Sequence, residues 1–171
     1  MSTEGSIFVI ADTSVLVNFL CIDRIDLIAR YPGRFAITDH VAAEITDHYP
    51  DQRARLDAAL AAGSIEQLSV CGDVELDLFR QLNETHRLGL GESAAIAYAC
   101  AHGYALAIDD RTAVKQARRL RPELVVLGTQ DIMVQLIRDG AIEVDEADRI
   151  KHTWATEHRF LLAIASFSEL L

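Results

Sequence analysis

The chain has 171 residues, half of them apolar, which is enough for one well-buried core, so a single domain over residues 1–171 is expected. Its 26 acidic residues against 16 basic ones leave a formal charge of −10, which excludes a protein-wide field that draws in nucleic acid and requires any polyanion to be held locally. Cys21, Cys71 and Cys100 are odd in number with no close pairing, which argues against a disulfide framework or thiolate metal site and suits the reducing cytoplasm.

Ile7 to Ala11 is a short apolar run suited to a central strand buried on both faces, and it ends in Asp12-Thr13-Ser14. Asp12 or Thr13 caps the helix that follows, Val15 to Leu20. The carboxylate of Asp12 therefore lies at a strand end beside helix N–H donors, which is also where an ordinary N-cap would put it. Asn18, one turn on, faces either the same cleft or solvent. Asp26 to Tyr31 continues as helix, and Pro32-Gly33 turns the chain into a second strand, Arg34 to Ile37. Thr38 caps the next helix, on which Val41, Ala42 and Ile45 share a face with Glu44 at its border.

After Tyr49-Pro50-Asp51 a helix runs from Gln52 to Ala62, followed by a more exposed strand at Ile65 to Val70 and a helix from Asp73 to Arg87. Gly89-Leu90-Gly91-Glu92 opens an alanine-rich helix and puts Glu92 in its first turn, where free N–H groups and the helix dipole favour an anion. The strand Ala105 to Ile108 runs out into Asp109-Asp110. Arg111 to Leu120 reads as a helix with Arg111, Lys115, Arg118 and Arg119 on one face, either a grip for a phosphate backbone or a solvated surface. Leu124 to Leu127 reads as a further buried strand and Gln130 to Arg138 as a helix capped by Gly140. Two last helices, Asp145 to Glu157 and Leu161 to Leu170, pack Trp154, Phe160 and Leu161 onto the body. The most apolar tract, Ala94 to Ala101, is too short to span a bilayer, and no basic segment precedes an apolar run at the N-terminus; no membrane contact is expected.

Strands alternating with helices imply an α/β fold, a parallel sheet with helices on both faces and right-handed crossovers. In such sheets ligands bind beyond the strand carboxyl ends, where Asp12, Asp109 and Asp110 fall.

Gly89-Leu90-Gly91-Glu92-Ser93-Ala94 matches the dinucleotide fingerprint, with Asp109 at the distance of a ribose-binding acid, but an amphipathic helix precedes it and Glu92 would point a negative charge at the pyrophosphate. A phosphoaspartate mechanism of the haloacid-dehalogenase kind would need an acid where Ser14 stands and a lysine near Gly128-Thr129. No metalloprotease helix, nucleophile elbow or phosphate loop occurs. The carboxylates Asp12, Glu44, Glu92, Asp109 and Asp110 remain, an oxygen-rich set that favours Mg²⁺ or Mn²⁺ over zinc.

Ile10-Ala11-Asp12-Thr13-Ser14, Val41-Ala42-Ala43-Glu44-Ile45, Gly91-Glu92-Ser93-Ala94-Ala95-Ile96 and Ile108-Asp109-Asp110-Arg111 come in the order and rough spacing of the PIN-domain nuclease family, and Gly128-Thr129-Gln130-Asp131-Ile132 is similar to the segment after its last strand. The resemblance spans about residues 7 to 140, with 141–171 as a C-terminal helical extension. It implies a three-layer, Rossmann-like sandwich around about five parallel strands, with clustered acids that bind Mg²⁺ or Mn²⁺ and hydrolyse phosphodiesters, usually in RNA. Many members are toxins of VapBC-type pairs, so a small antitoxin and a second copy of the chain are the protein partners the resemblance brings into view.

Carried over, Asp12, Glu44 and Glu92 match the first three family acids and Asp109 or Asp110 the fourth. Asp12, Glu92 and the Asp pair would hold metal, Glu44 would complete the set, and Ser14 matches the small hydroxyl residue beside the first acid. Arg111 and Lys115 would meet substrate. Arg111, Thr112 and Ala113 stand where some members carry a further acid, so a second metal lacks that ligand. The other expectation is a PIN-like binding or assembly module with little or no catalysis, for which the acidic surface and C-terminal extension are suited.

Overall fold

The computed structural model describes residues 7–171. Its five strands, β1 (Phe8–Ala11), β2 (Arg34–Thr38), β3 (Glu66–Leu68), β4 (Ala105–Ala107) and β5 (Val126–Leu127), stand in the order β3-β2-β1-β4-β5. Every pairing is parallel, so each connection must cross over a sheet face and the helices form the two outer layers. The strand order runs outward from β1 in both directions. This puts a topological switch point between β1 and β4, where the crossovers leave in opposite directions and open a crevice at the carboxyl ends.

Side-chain alternation divides the core. Val9 and Ala11 of β1 and Phe35 and Ile37 of β2 face one layer, built from α1 (Thr13–Cys21), α2 (Ile25–Arg30), α3 (Asp39–His48), α4 (Pro50–Ala61), α8 (Thr129–Arg138) and α9 (Val144–Glu157). Ile10, Ala36, Leu106 and Ile108 face the other, where α5 (Asp73–Arg80), α6 (Leu90–His102) and α7 (Arg111–Leu120) pack. In α6, Ala94, Ala95, Ala97 and Ala99 are fully buried; their small side chains let this helix lie close against the strands that carry the candidate acids.

Three expectations need correction. The helix expected over Asp73–Arg87 keeps regular α geometry only to Arg80, then widens into a π turn over Gln81–Thr85 that buries Leu82 completely; the Asn83 amide, donating to Leu88 O at 2.9 Å, fixes the exit. The Leu124–Leu127 run is an edge strand and not a buried one: Val125 is 58% exposed, because the sheet ends at β5.

The second terminal helix, Leu161–Leu170, is absent. Leu162 and Ile164 face the core while Leu161, Ala163 and Ala165 face out, so the segment follows a period of two as an extended strap and tightens into a 3₁₀ turn only at Phe167–Leu170. Leu161 is accordingly 76% exposed and does not pack on the body, whereas Trp154 and Phe167 are fully buried. The strap is held by Asp148, which accepts from Ser166 Oγ at 2.6 Å and Phe167 N at 2.9 Å. Among the described residues no helix is long and apolar enough to cross a membrane.

Candidate active site

The backbone of β1 continues one residue past the strand, with Asp12 N donating to Ala107 O at 2.8 Å, and the chain then turns into α1. Asp12 is the N-cap of α1. Its Oδ2 accepts from Ser14 N at 3.1 Å and from Ser14 Oγ at 2.7 Å, as the capping reading required. Its Oδ1 is buried and has no hydrogen-bond partner, which no cap needs. With the residue only 2% exposed, burial pushes this carboxyl above its ordinary range; the Ser14 bonds and the Thr13 N–H oppose the rise and nearby Glu44 adds to it.

Glu44 reaches the same place from α3. Its Oε2 accepts from Thr13 Oγ1 at 2.7 Å and its Oε1 from Gly91 N at 2.9 Å, so one carboxylate links the starts of α1 and α6. This seat exists because residue 91 has no side chain: a Cβ there would fall inside the Glu44 carboxylate. Glu92, in the first turn of α6, reaches back to Gly89 N at 3.2 Å. Burial raises its carboxyl pKa against that bond, and the negative charges of Asp12, Asp110 and Glu44 raise it further. Asp12, Glu44 and Glu92 line one cleft of about 300 Å³, together with His48 and Tyr49 from the end of α3.

The two neighbouring aspartates part company. Asp109 Oδ1 accepts from Thr129 N at 2.8 Å, and its Oδ2 accepts from Thr129 Oγ1 at 2.6 Å and Asn18 Nδ2 at 3.3 Å. Both oxygens are thus spent on joining β4 to α1 and α8. Asp110 caps α7 through Ala113 N at 2.8 Å and is the one of the pair whose charge acts on Glu92. Ser14 lies inside the same network: its Oγ donates to Asp12 and accepts from Asp109 N at 3.3 Å, which commits it to holding the acids in register. Arg111 and Lys115 stand exposed on α7.

Thr13, Gly91 and Thr129 were not singled out as site residues from the sequence. The signal for Gly91 was present, because one glycine suffices to start α6 and Gly89 already takes that place; a second marks a close approach. Thr13 and Thr129 gave none, since a hydroxyl after a strand reads as a cap wherever it points.

Among the described residues no group of three acids, histidines or cysteines stands ready to hold a metal ion. The donor chemistry nonetheless fits a hard cation, with an orphaned carboxylate oxygen on Asp12 and a Glu92 whose ionisation is resisted by three neighbouring acids. Those oxygens would suit a divalent ion, or an added proton in its place.

The family model DUF3368, described as a PIN domain, matches residues 8–156. No curated protein matches the chain. Among solved structures, PAE2754 from Pyrobaculum aerophilum aligns at 17% identity over 82% of this chain and 95% of that one with a TM-score of 0.52. VapBC2 from Rickettsia felis, bound to a DNA fragment from their promoter, aligns at 17% identity over 71% of this chain and 98% of that one with a TM-score of 0.50. Both likenesses concern the fold.

Proposed function

The chain belongs to the PIN-domain family, and from that premise we propose that it is a metal-dependent endoribonuclease acting through Asp12, Glu44, Glu92 and Asp110. The observation that carries the reading is the buried, partnerless Oδ1 of Asp12 at the carboxyl end of the central strand, beside a Glu92 whose pKa is raised by burial first and then by the charges of Asp12, Asp110 and Glu44. Folding has concentrated negative charge without compensating it, and a bound cation supplies the compensation.

Asp12, Glu92 and Asp110 would hold Mg²⁺ or Mn²⁺, with Glu44 beside them. Such an ion, when bound, supplies a Lewis acid for the phosphate and a water of lowered pKa. The chain's own part is to orient. Ser14 fixes one oxygen of Asp12 so that the other stays free, and Thr13 with the Gly91 N–H pins Glu44. Asp109 is a positioning residue, holding the end of β4 so that Asp110 meets Glu92. Water attacks the phosphorus and the sugar oxygen leaves with a proton, giving two ends and no change of oxidation state.

We further take the whole chain, residues 1–171, as one domain, with residues 1–6 outside the described part. The segment beyond residue 140 supports this, because Trp154 Nε1 donates to Asn18 O at 2.6 Å and so ties α9 to the helix that Asp12 begins. A cytoplasmic setting, a small antitoxin partner and a homodimer belong to the same proposal, the antitoxin supported by the likeness to VapBC2.

The test is cleavage of a mixed RNA panel with millimolar Mg²⁺ or Mn²⁺. Wild type should cut, EDTA should stop it, and Asp12→Ala should lose at least ~100-fold, the scale of losing one preorganised charge contact. Equal cleavage by both proteins would sink the reading. The full engagement of Glu44 and Asp109 favours the other reading, a binding or assembly module, and that reading wins if wild type fails to cut under every divalent metal.

A further inference from the structure

Helix α7 starts at Asp110 and leads away from the acids. Arg111, Lys115, Arg118 and Arg119 are all exposed on it and, at 100° per residue, fall within an arc of about 100°. Ala113, Ala117 and Leu120 take the opposite side against the core. Elsewhere the arginines of this acidic protein are largely matched: Arg24 with Asp26 and Glu146, Arg30 with Asp26, Arg53 with Asp57, Arg55 with Asp23, Arg121 with Glu123. None of the four α7 cations makes an ion pair or a side-chain hydrogen bond with another described residue. Four like charges left together repel one another, so the strip is held at a cost that a solvated face mixing both signs would avoid.

The acidic cleft itself differs in kind. Tyr49, at the end of α3, is 39% exposed and lines the acidic cleft beside His48, and Leu90, the first residue of α6, is 52% exposed. In the sheet β2 and β4 flank β1, so α3, which follows β2, and α7, which follows Asp110 at the end of β4, stand on either side of Asp12. An aromatic platform thus lies on one side of the acids and a row of unpaired cations on the other.

We propose that this is the track of a single-stranded nucleic acid, with its phosphates along α7 from Arg111 to Arg119 and a base stacked on Tyr49, so that the phosphodiester between them crosses the acids. The inference rests on the nuclease reading and deepens it by naming the residues that hold the strand on either side of the acids and its direction of exit. The eight steps from Arg111 to Arg119 span about 12 Å, enough for roughly three phosphates at the spacing of a stacked strand. An acidic peptide would also be drawn to α7, but it has no use for an aromatic face at the opposite rim. A duplex would keep its bases from Tyr49.

Fluorescence anisotropy of a labelled twelve-nucleotide oligouridylate tests the track without turnover, using full-length Asp12→Asn protein in EDTA as the parent. Adding Arg118→Glu with Arg119→Glu should weaken binding at least ~10-fold and flatten the dependence of log affinity on log salt by about 1.4, two phosphate contacts at 0.7 each. Tyr49→Ala should weaken binding about tenfold and leave the salt slope unchanged, the signature of lost stacking. The positions are exposed, and unchanged circular dichroism would confirm folding. Affinity and slope equal to the parent in both variants would overturn the track, as would equal affinity for a duplex of the same sequence.

Hydrolysis of bis(p-nitrophenyl) phosphate by wild type with Mn²⁺ separates the two readings. Hydrolysis combined with unaltered oligonucleotide affinity in the variants keeps the nuclease and removes the track. Track-dependent binding without hydrolysis does the reverse.

Discussion

Gly72-Asp73-Val74-Glu75 and Gly89-Leu90-Gly91-Glu92 are the same local device. Each opens a helix, and in each the glutamate reaches back to the N–H of the glycine, at 3.1 Å for Glu75 and 3.2 Å for Glu92. Their surroundings drive them apart. Burial alone would raise the carboxyl of Glu75, but the His102 ring at 2.5 Å and the N–H groups of Cys71 and Gly72 outweigh it and hold the pKa below the ordinary range. Burial raises Glu92 as well, but only one N–H opposes it and three acids add to it, so its pKa rises. The capping motif decides where a carboxylate stands, and the long-range neighbours decide whether it fastens the fold or remains available for chemistry.

Cutting both side chains back tests the contrast most strongly. Glu75→Ala strips the acceptor from two backbone donors and His102 at a buried site and should cost about 3 kcal/mol, which for a chain of this size lowers Tm by roughly 6–12 °C. Glu92→Ala removes one weak cap bond and relieves repulsion, so its Tm should move by less than about 3 °C in either direction. Scanning calorimetry on both variants decides, and equal losses would break the comparison.

The next effect sharpens it within a single motif. Gly91→Ala places a Cβ inside the Glu44 carboxylate, whereas a Cβ at Gly89 meets nothing closer than 3.7 Å. Overpacking at Gly91 should cost about 1–3 kcal/mol and reduce RNA cleavage at least tenfold, with Gly89→Ala close to wild type on both counts. A Gly91→Ala protein of unchanged Tm would show that Glu44 is not pinned there.

These two pairs also mark how far the sequence could be read. Alternating strands and helices made the α/β class plain, and the acids at Asp12, Glu44 and Glu92 stood out because each sat at a strand end or beside an early helical turn. The C-terminal strap was misread because Leu161 to Leu170 is apolar enough to satisfy a helical count while its burial alternates residue by residue. The division of labour between Asp109 and Asp110 was illegible for a different reason. It depends on Thr129 and Asn18, 20 and 91 residues away in the chain, and no local pattern carries that.

A smaller effect concerns pH, and its sign differs between the two regions. For Asp12 and Glu92 the folded pKa lies above the unfolded one, so the penalty is absent below the ordinary value, 3.8 for Asp12, and grows as pH rises through the raised folded value. Asp12→Asn keeps an oxygen for the Ser14 cap and should gain about 1 kcal/mol at pH 7, a gain that closes towards pH 4. Glu75 runs the other way, its stabilisation present above 4.5 and lost as pH falls through the lowered folded value. Melting curves at pH 4 and pH 7 for Asp12→Asn and wild type check the first sign; a gap that widens on acidification would contradict it.

The last contrast lies between neighbours. Asp109→Asn retains an oxygen but turns an amide towards donors on Thr129 and Asn18, so it should destabilise by about 1–2 kcal/mol while leaving the acids around Glu92 untouched. Asp110→Asn keeps its cap on Ala113 N, since asparagine caps as well as aspartate, and its stability should barely change. Metal response should divide in the opposite sense. With Mn²⁺ at about ten times its dissociation constant, binding to the folded state alone stabilises by roughly 1.4 kcal/mol, or about 3–6 °C in Tm. Asp109→Asn should keep that increment above its own lowered baseline. Asp110→Asn should lose half or more of it from an unchanged baseline, because the carboxylate that it neutralises is the one electrically coupled to Glu92. An increment lost in Asp109→Asn and kept in Asp110→Asn would move the metal to the β4–α8 junction and make Asp110 a plain helix cap.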